Sequence, residues 1–336
     1  MVNFLLCCDW GTSFFRLRLM NASDYQSLGE IHSQTGIAGT FTGWQTRGAS
    51  RGIARDHFFR QELKKQIDRL AEKVAMPLDG IPVVISGMAS SSIGMEELPY
   101  ATLPFAVDGS QASVRHFDAQ ADFPHEIMLI SGVSSDQDVM RGEETQLVGL
   151  IALLQLSGDK PQEAICIFPG THSKHMAIQG DQLVGFDTYM TGELFSLMAQ
   201  QSILKDSVDT SLLAHLTDSD KEAFRRGVRR SGTSPILNSL FTIRTNQLFD
   251  KLTKKQNALY LSGLLIGTEL NPLLQQDNWS LVLCSGSNLS IFYELALAEL
   301  NLLHRTITIP PDIIDLVASI GQINLFQNQT AKVTAK

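Results

Sequence analysis

The chain has little positive charge to offer a polyanion. Its 27 lysines and arginines stand against 35 aspartates and glutamates, a formal net charge of -8 over 336 residues. Nonspecific nucleic-acid binding depends on a basic surface that displaces counterions, so this balance argues against it. Any anionic ligand must be held by a few placed cations rather than by the overall field. No apolar run is long enough to span a bilayer. No basic segment leads into a long apolar stretch at the N-terminus, so no signal peptide is expected. Cysteine is scarce: Cys7, Cys8, Cys166 and Cys284 all sit in apolar, strand-like runs, and none shows metal spacing such as C-x-x-C. They read as small buried hydrophobes in a reducing compartment. The expectation is a cytoplasmic protein with neither a nucleic-acid nor a membrane partner; a homodimer is left open.

What is present is ordinary globular material, 43% hydrophobic and 18% charged. The length exceeds what one core usually fills, so two α/β domains are expected, 1–133 and 134–336. Residues 4–8 and 14–20 read as strands around the turn "DWGTS". "DHFFRQELKKQIDRLAEKV" carries apolar residues at helical spacing, from Phe59 through Leu63, Ile67 and Leu70 to Val74. "IPVVIS" and "EIMLISG" are buried strands, and "VMRGEETQLVGLIALLQL" reads as a helix opened by Asp138. In the second half "AICIFPGTHSKHMAI" is strand, turn, strand. "TGELFSLMAQQSIL" is helical, and "SDKEAFRRGVRR" offers a capping box at Ser219 and Glu222. A long helical region runs through "NALYLSGLLIGTEL". "LVLCSG" is a strand, "NLSIFYELALAEL" a helix, and the polar "NQTAKVTAK" is expected to fray.

The two hairpins superpose by sequence, Gly11 over Gly170 and Thr12 over Thr171, which suggests an internal duplication. Only the first carries an acid, because Asp9 falls over Phe168. Glycine lets backbone N–H groups converge on one point, and such a nest attracts anions; Thr and Ser hydroxyls add donors. Two such turns facing across a cleft would grip a polyphosphate. Asp9 beside it would need an intervening hard cation such as Mg2+; its alternative role is to cap the turn.

"CDWGTSFFRLRL" and "FPGTHSKHMAI" resemble the two phosphate motifs of the sugar-kinase, Hsp70 and actin superfamily, and "LVLCSGSNLS" is similar to its adenosine motif. "SGMASSSIGMEELPY", "DVMRGEETQLVG", "PGTHSKH", "FDTYMTGELF" and "LSGLLIGTEL" narrow the resemblance to the 2-dehydro-3-deoxygalactonokinase family. The resemblance implies two ribonuclease-H-like domains with ATP in the interdomain cleft. It also implies γ-phosphoryl transfer to the terminal hydroxyl of a 2-keto-3-deoxy sugar acid. Other acceptor sugars, or a non-catalytic ATP-binding interaction protein of the same fold, are the competing readings. By the phosphate motifs, Asp9 would hold Mg2+. Gly11, Thr12, Ser13 and Arg16, with Gly170, Thr171, His172, Ser173 and Lys174, would surround the phosphates, and Gly286 would lie against adenosine.

Phosphoryl transfer also needs a proton acceptor. Asp138 is the first candidate, since related sugar kinases place a base in a similar location; it could equally be a plain N-cap. Glu143 and Glu144, one turn further in, are the next candidates; Glu143 could reach the cleft, and Glu144 has a solvated helix face as its alternative reading. Arg141 could fork onto the substrate carboxylate or pair with Glu143 or Glu144 on the helix surface. The loop after a buried strand supplies Gly87, Met88, Ser90, Glu97 and Tyr100 as candidate sugar contacts, with Met95 in the same loop facing the sugar. "TGIAG" at 35–39 reads as a further loop walling that pocket.

Overall fold

The computed structural model describes residues 2–211 and 216–334, an α/β protein with mixed sheets. In chain order the first stretch holds β1 (Phe4–Trp10), β2 (Phe15–Asn21), β3 (Ser27–Ser33), α1 (Ile37–Gly43), α2 (Arg55–Val74) and β4 (Val83–Gly87). Short strands follow: β5 (Ala101–Thr102), β6 (Phe105–Ala106), β7 (Val114–Phe117), β8 (Ile127–Ile130), β9 (Val133–Ser134) and β10 (Val139–Met140). Next come α3 (Glu143–Ser157), β11 (Glu163–Phe168), β12 (Ser173–Gln179), β13 (Gln182–Tyr189) and α4 (Thr191–Gln201). The chain continues with α5 (Asp218–Ser231), α6 (Ile236–Leu248), α7 (Lys254–Leu270), β14 (Ser280–Leu283), α8 (Ser287–Glu299), β15 (Thr306–Thr308) and α9 (Pro311–Thr334).

The chain divides into two compact units. One comprises residues 1–160, 180–185 and 315–336, the other 161–179 and 186–314. The division therefore does not fall at 133/134. α3 stays with the first unit because α9 returns to it: a Cβ on Gly149 would stand 1.9 Å from Val317 O, and one on Gly321 1.9 Å from Thr145 O. Backbones that close admit no side chain at either position.

In the first unit the sheet order is β3-β2-β1-β4-β8-β7. β1 pairs antiparallel with β2 and parallel with β4, and β4 pairs parallel with β8. Leu6, Cys8 and Trp10 of β1 pack with Phe59, Leu63, Ile67 and Leu70 of α2, the helical spacing expected from sequence. α9 meets the sheet too: Gln322 donates to Cys8 O at 2.7 Å and to Ser86 Oγ at 2.8 Å. α9 is helical through Thr334, so the expected fraying of the C-terminal segment is not seen within the described residues; Asn328 is anchored there by donating to Asp108 O.

In the other six-stranded sheet β13, β12, β11, β14 and β15 lie in that order, with β11 parallel to β14 and β14 parallel to β15; β12, β11, β14 and β15 belong to the second unit. This repeats the order of β3, β2, β1, β4 and β8. Ile165, Ile167, Leu281 and Leu283 pack with Phe224, Leu259 and Ile266 of the helical layer. The α5 capping box is formed by Thr217 and Asp220 rather than Ser219 and Glu222; Glu222 instead pairs with Arg229. All four cysteines are free and buried. Among the described residues no helix is long and apolar enough to cross a membrane.

Candidate active site

In the first unit β1 runs on through Asp9 and Trp10, so Asp9 lies inside the strand rather than in the turn. Its neighbours in register are Arg16 on β2 and Ser86 on β4. Burial raises the Asp9 carboxyl above the usual carboxylate range; Arg16 pulls it down and Glu143 adds to the rise. The Arg16 guanidinium also reaches Asp315 O at 3.4 Å.

The turn after β1 is closed by Gly11 N–H donating to Phe14 O at 2.9 Å, while Thr12 and Ser13 are exposed at its tip. The segment 35–39 is not a loop. It opens α1, whose Ile37 and Ala38 N–H groups donate to Gly11 O and Thr12 O at 2.9 and 3.0 Å. A Cβ on Gly36 would stand 2.5 Å from Thr12 O, so only glycine lets the helix start seat on the turn.

The second unit repeats the arrangement. Gly170 N–H donates to Ser173 Oγ at 3.3 Å, and Thr171 and His172 are exposed. Glu193 N–H, at the start of α4, donates to Thr171 O at 3.0 Å, and a Cβ on Gly192 would stand 2.6 Å from Gly170 O. The repeat is thus longer than two hairpins: each Gly-Thr turn is backed by a Thr-Gly dipeptide, Thr35-Gly36 or Thr191-Gly192, that opens a helix. In both turns the glycine N–H is occupied internally, while the tip residues Thr12, Ser13, Thr171 and His172 are exposed.

Asp138 does not open a helix. It precedes β10, its Oδ1 accepts the Val139 N–H at 2.7 Å, and the N-cap of α3 is Gly142 at φ 114. Gly142 has a positive φ, and a Cβ there would come within 3.4 Å of Gly87 Cα; Gly87, at φ 88, would in turn place a Cβ 3.4 Å from Asp9 Oδ1. Two glycines therefore let the start of α3, the end of β4 and Asp9 approach one another. Glu143 Oε2 accepts the Arg141 N–H at 3.0 Å. Glu144 is not a solvated face but 1% exposed, accepting from Gly142 N–H and Thr145 Oγ1. Burial and the neighbouring Glu143 push its carboxyl up to about 7.

Arg141 joins the candidate sugar contacts. Its Nη1 donates to Ser90 O and Ser90 Oγ, both at 2.6 Å, and to Ser131 Oγ at 3.4 Å. Its guanidinium lies 4.3 Å from the Tyr100 ring centroid, a cation–π contact. Met88 packs partly against the core and Glu97 is exposed. Met95 does not face a pocket: it is 2% exposed within the core of the first unit. An apolar residue in a glycine- and serine-rich loop sinks inward because nothing else there can fill the space.

In the second unit Lys174 lies buried on β12. His172 Nε2 meets Glu193 Oε2 at 2.5 Å. Gly286 is the N-cap of α8, and a Cβ there would meet nothing within 4 Å. A cavity of about 110 Å³ beside Gly170 and Gly192 is lined by Leu265, Ile266, Leu289 and Phe292. Sequence reading missed Gly36, Gly142 and Gly192, and also Glu269, Thr191 and Tyr293, which form a buried network under the second turn. The recurring Thr-Gly after each Gly-Thr hairpin was the available signal for two of the three glycines.

The profile of the family described as 2-keto-3-deoxy-galactonokinase matches residues 9–312. The Rhizobium meliloti (strain 1021) protein assigned as 2-dehydro-3-deoxygalactonokinase DgoK1 is 33% identical over 268 residues, 78% of each chain. The Escherichia coli (strain K12) 2-dehydro-3-deoxygalactonokinase is 31% identical over 224 residues, 64% of this chain and 70% of that one. A crystal structure of a Sinorhizobium meliloti protein assigned as a 2-dehydro-3-deoxygalactonokinase superposes with a TM-score of 0.73 at 29% identity, covering 95% of this chain and 96% of that one. With the matched segment running from Asp9 through both Gly-Thr turns and all the candidate residues above, the chain belongs to the 2-keto-3-deoxy-galactonokinase family and is a carbohydrate kinase.

Proposed function

We propose that this kinase transfers the γ-phosphoryl group of ATP to the terminal 6-hydroxyl of 2-dehydro-3-deoxy-D-galactonate, as a cytoplasmic enzyme of galactonate catabolism. In this reading its two units are ribonuclease-H-like domains that share one nucleotide. The observation that carries it is the repeated turn-and-helix assembly, present once in each unit, with an acid behind only the first copy.

Thr12 and Ser13 in the first unit, and Thr171 and His172 in the second, would donate to the phosphate oxygens. Lys174, on the strand behind the second turn, would supply positive charge. The open face at Gly286 and the apolar cavity beside Gly170 suit an adenosine, whose base needs flat apolar walls and a close backbone.

The residues at Asp9 fit a magnesium ion. Asp9 is a raised carboxyl beside a second carboxylate, Glu143, and a dication there would relieve both burial and repulsion. Among the described residues no three metal-binding side chains cluster, so such an ion would take most ligands from phosphate and water, as Mg2+ commonly does. When bound, it would neutralise charge on the phosphates.

Arg141, held by Ser90 and stacked on Tyr100, would recognise the carboxylate of the sugar acid, with Gly87, Met88 and Glu97 nearby in sequence. Asp138 would accept the proton of the attacking hydroxyl, with Glu143 as the alternative.

A coupled ADP-release assay against 2-keto-3-deoxy acids and plain hexoses tests this reading. Stimulation by 2-dehydro-3-deoxy-D-galactonate alone supports it. Stimulation by a different sugar acid moves the substrate assignment, and ADP release indifferent to every acid overturns it.

A further inference from the structure

Beneath the second Gly-Thr turn lies one buried carboxylate that nothing above uses. Glu269, on α7, is 2% exposed. Its Oε2 accepts the Tyr293 hydroxyl at 2.8 Å and the Thr191 hydroxyl, and its Oε1 meets His175 Nε2 at 3.1 Å. A carboxyl group so buried is satisfied by the three hydrogen-bond partners that converge on it. Those partners come from three separate elements: α8, the first residue of α4, and β12.

The connection to the turn has a direction. Tyr293 OH lies 3.0 Å from Ser173 Oγ, and Gly170 N–H donates to that same Ser173 Oγ. Because Tyr293 donates to Glu269, its oxygen is free to accept from the Ser173 hydroxyl, and Ser173 in turn accepts from Gly170. The chain reads Gly170 N–H to Ser173 O–H to Tyr293 O–H to Glu269, every donor pointing inward. Burial and the Glu269 charge keep the Tyr293 phenol protonated, consistent with that order. Thr191 ties the same carboxylate to α4, whose start seats on Thr171 O. One side chain therefore ties together both the turn and the helix end that backs it.

The first turn has a different support. There the glycine N–H closes on a backbone carbonyl, Phe14 O, and among the described residues no side-chain relay backs it. The relay is thus an addition peculiar to the copy that lacks the acid.

We propose that Glu269 is a positioning residue of this kinase: through Tyr293, Ser173 and Thr191 it fixes the shape of the turn at 170–173 and so sets the affinity for ATP, without touching substrate. The second part of this statement rests on the reading that the turn holds phosphate.

Tyr293→Phe cuts the relay while leaving Thr191 and His175 on the carboxylate, and Glu269→Gln weakens the whole hub. Should Glu269→Gln fail to fold, Tyr293→Phe and Ser173→Ala decide. Two readouts on the intact chain separate the claims. Amide hydrogen exchange across 170–173 should quicken by about tenfold or more in Tyr293→Phe, as expected when a hydrogen bond to a charged partner is lost. The KM for ATP should rise by a similar factor while the KM for the sugar acid stays within about twofold. Unchanged exchange overturns the positioning role. Quickened exchange with an unchanged KM for ATP upholds the relay and overturns the phosphate reading of the turn. Equal rises in both KM values mark a merely structural residue and overturn the proposal.

Discussion

Glu144 offers a prediction whose size follows from the structure. It is 1% exposed, its carboxyl is raised from 4.5 to about 7, and burial is the main cause, followed by Glu143. Unfolding returns the group to water and to its ordinary value. Between those two values the folded protein binds the proton more tightly than the unfolded one, so stability falls as pH rises through the window and the loss is complete above pH 7. The gap corresponds to roughly 3 kcal/mol in full, at about 1.36 kcal/mol per pH unit. Between about pH 5.5 and pH 8 roughly 2 kcal/mol of it is traversed. Glu144→Gln removes the titration yet keeps the local bonds. The amide oxygen still accepts the Gly142 N–H, and the Thr145 hydroxyl can rotate to accept from the amide nitrogen. Thermal melts of both proteins at the two pH values, followed by intrinsic tryptophan fluorescence, measure the effect. The wild type should lose about 4–8 °C more than Glu144→Gln on going from about pH 5.5 to pH 8, taking about 2–4 °C per kcal/mol for a unit of this size. At the higher pH the variant should be the more stable protein. Parallel pH profiles would refute the claim that burial and Glu143 outweigh the Gly142 and Thr145 hydrogen bonds at Glu144.

Two substitutions address the chemistry. Arg141→Lys loses the planar group that bonds Ser90 and stacks on Tyr100, so the KM for the sugar acid should rise about 10- to 100-fold with the KM for ATP unchanged; steady-state kinetics with each substrate varied in turn checks this. Asp138→Asn can still accept the Val139 N–H through its amide oxygen, so it should fold and bind ATP but lose about 10²- to 10⁴-fold in kcat; a near-normal rate would transfer the base role to Glu143.

Hydrophobic periodicity made most of the fold legible. The strands at 4–10, 83–87 and 163–168 and the helix at 55–74 carry their own apolar patterns, and those patterns depend only on which face is buried. The misreadings share one cause: short segments where backbone geometry overrides side-chain pattern. "VMRGEE" looks helical throughout, yet a two-residue strand occupies Val139–Met140 and Gly142 at positive φ caps a helix that starts at Glu143, five residues after Asp138. "TGIAG" looks like a loop because it is small and glycine-rich, yet its Gly36 is what admits the α1 start against Thr12 O. Asp9, Arg141, Ser90 and Tyr100 were visible as chemistry-bearing residues, and the structure adds that the last three touch. Glu269 was not visible, because a glutamate in an apolar helix gives no sequence sign of the three distant donors that satisfy it.

The proposed nucleotide site requires the two Gly-Thr turns to hold the same triphosphate. Thr12 and Thr171 are exposed at the turn tips, so Thr12→Val and Thr171→Val remove one hydroxyl each with little effect on packing. Calorimetric titration of Mg-ATP into the two variants should show each weakened about 10- to 100-fold, the value of one hydrogen bond to a charged phosphate. Wild-type affinity in either variant would contradict the claim that both turns grip one nucleotide.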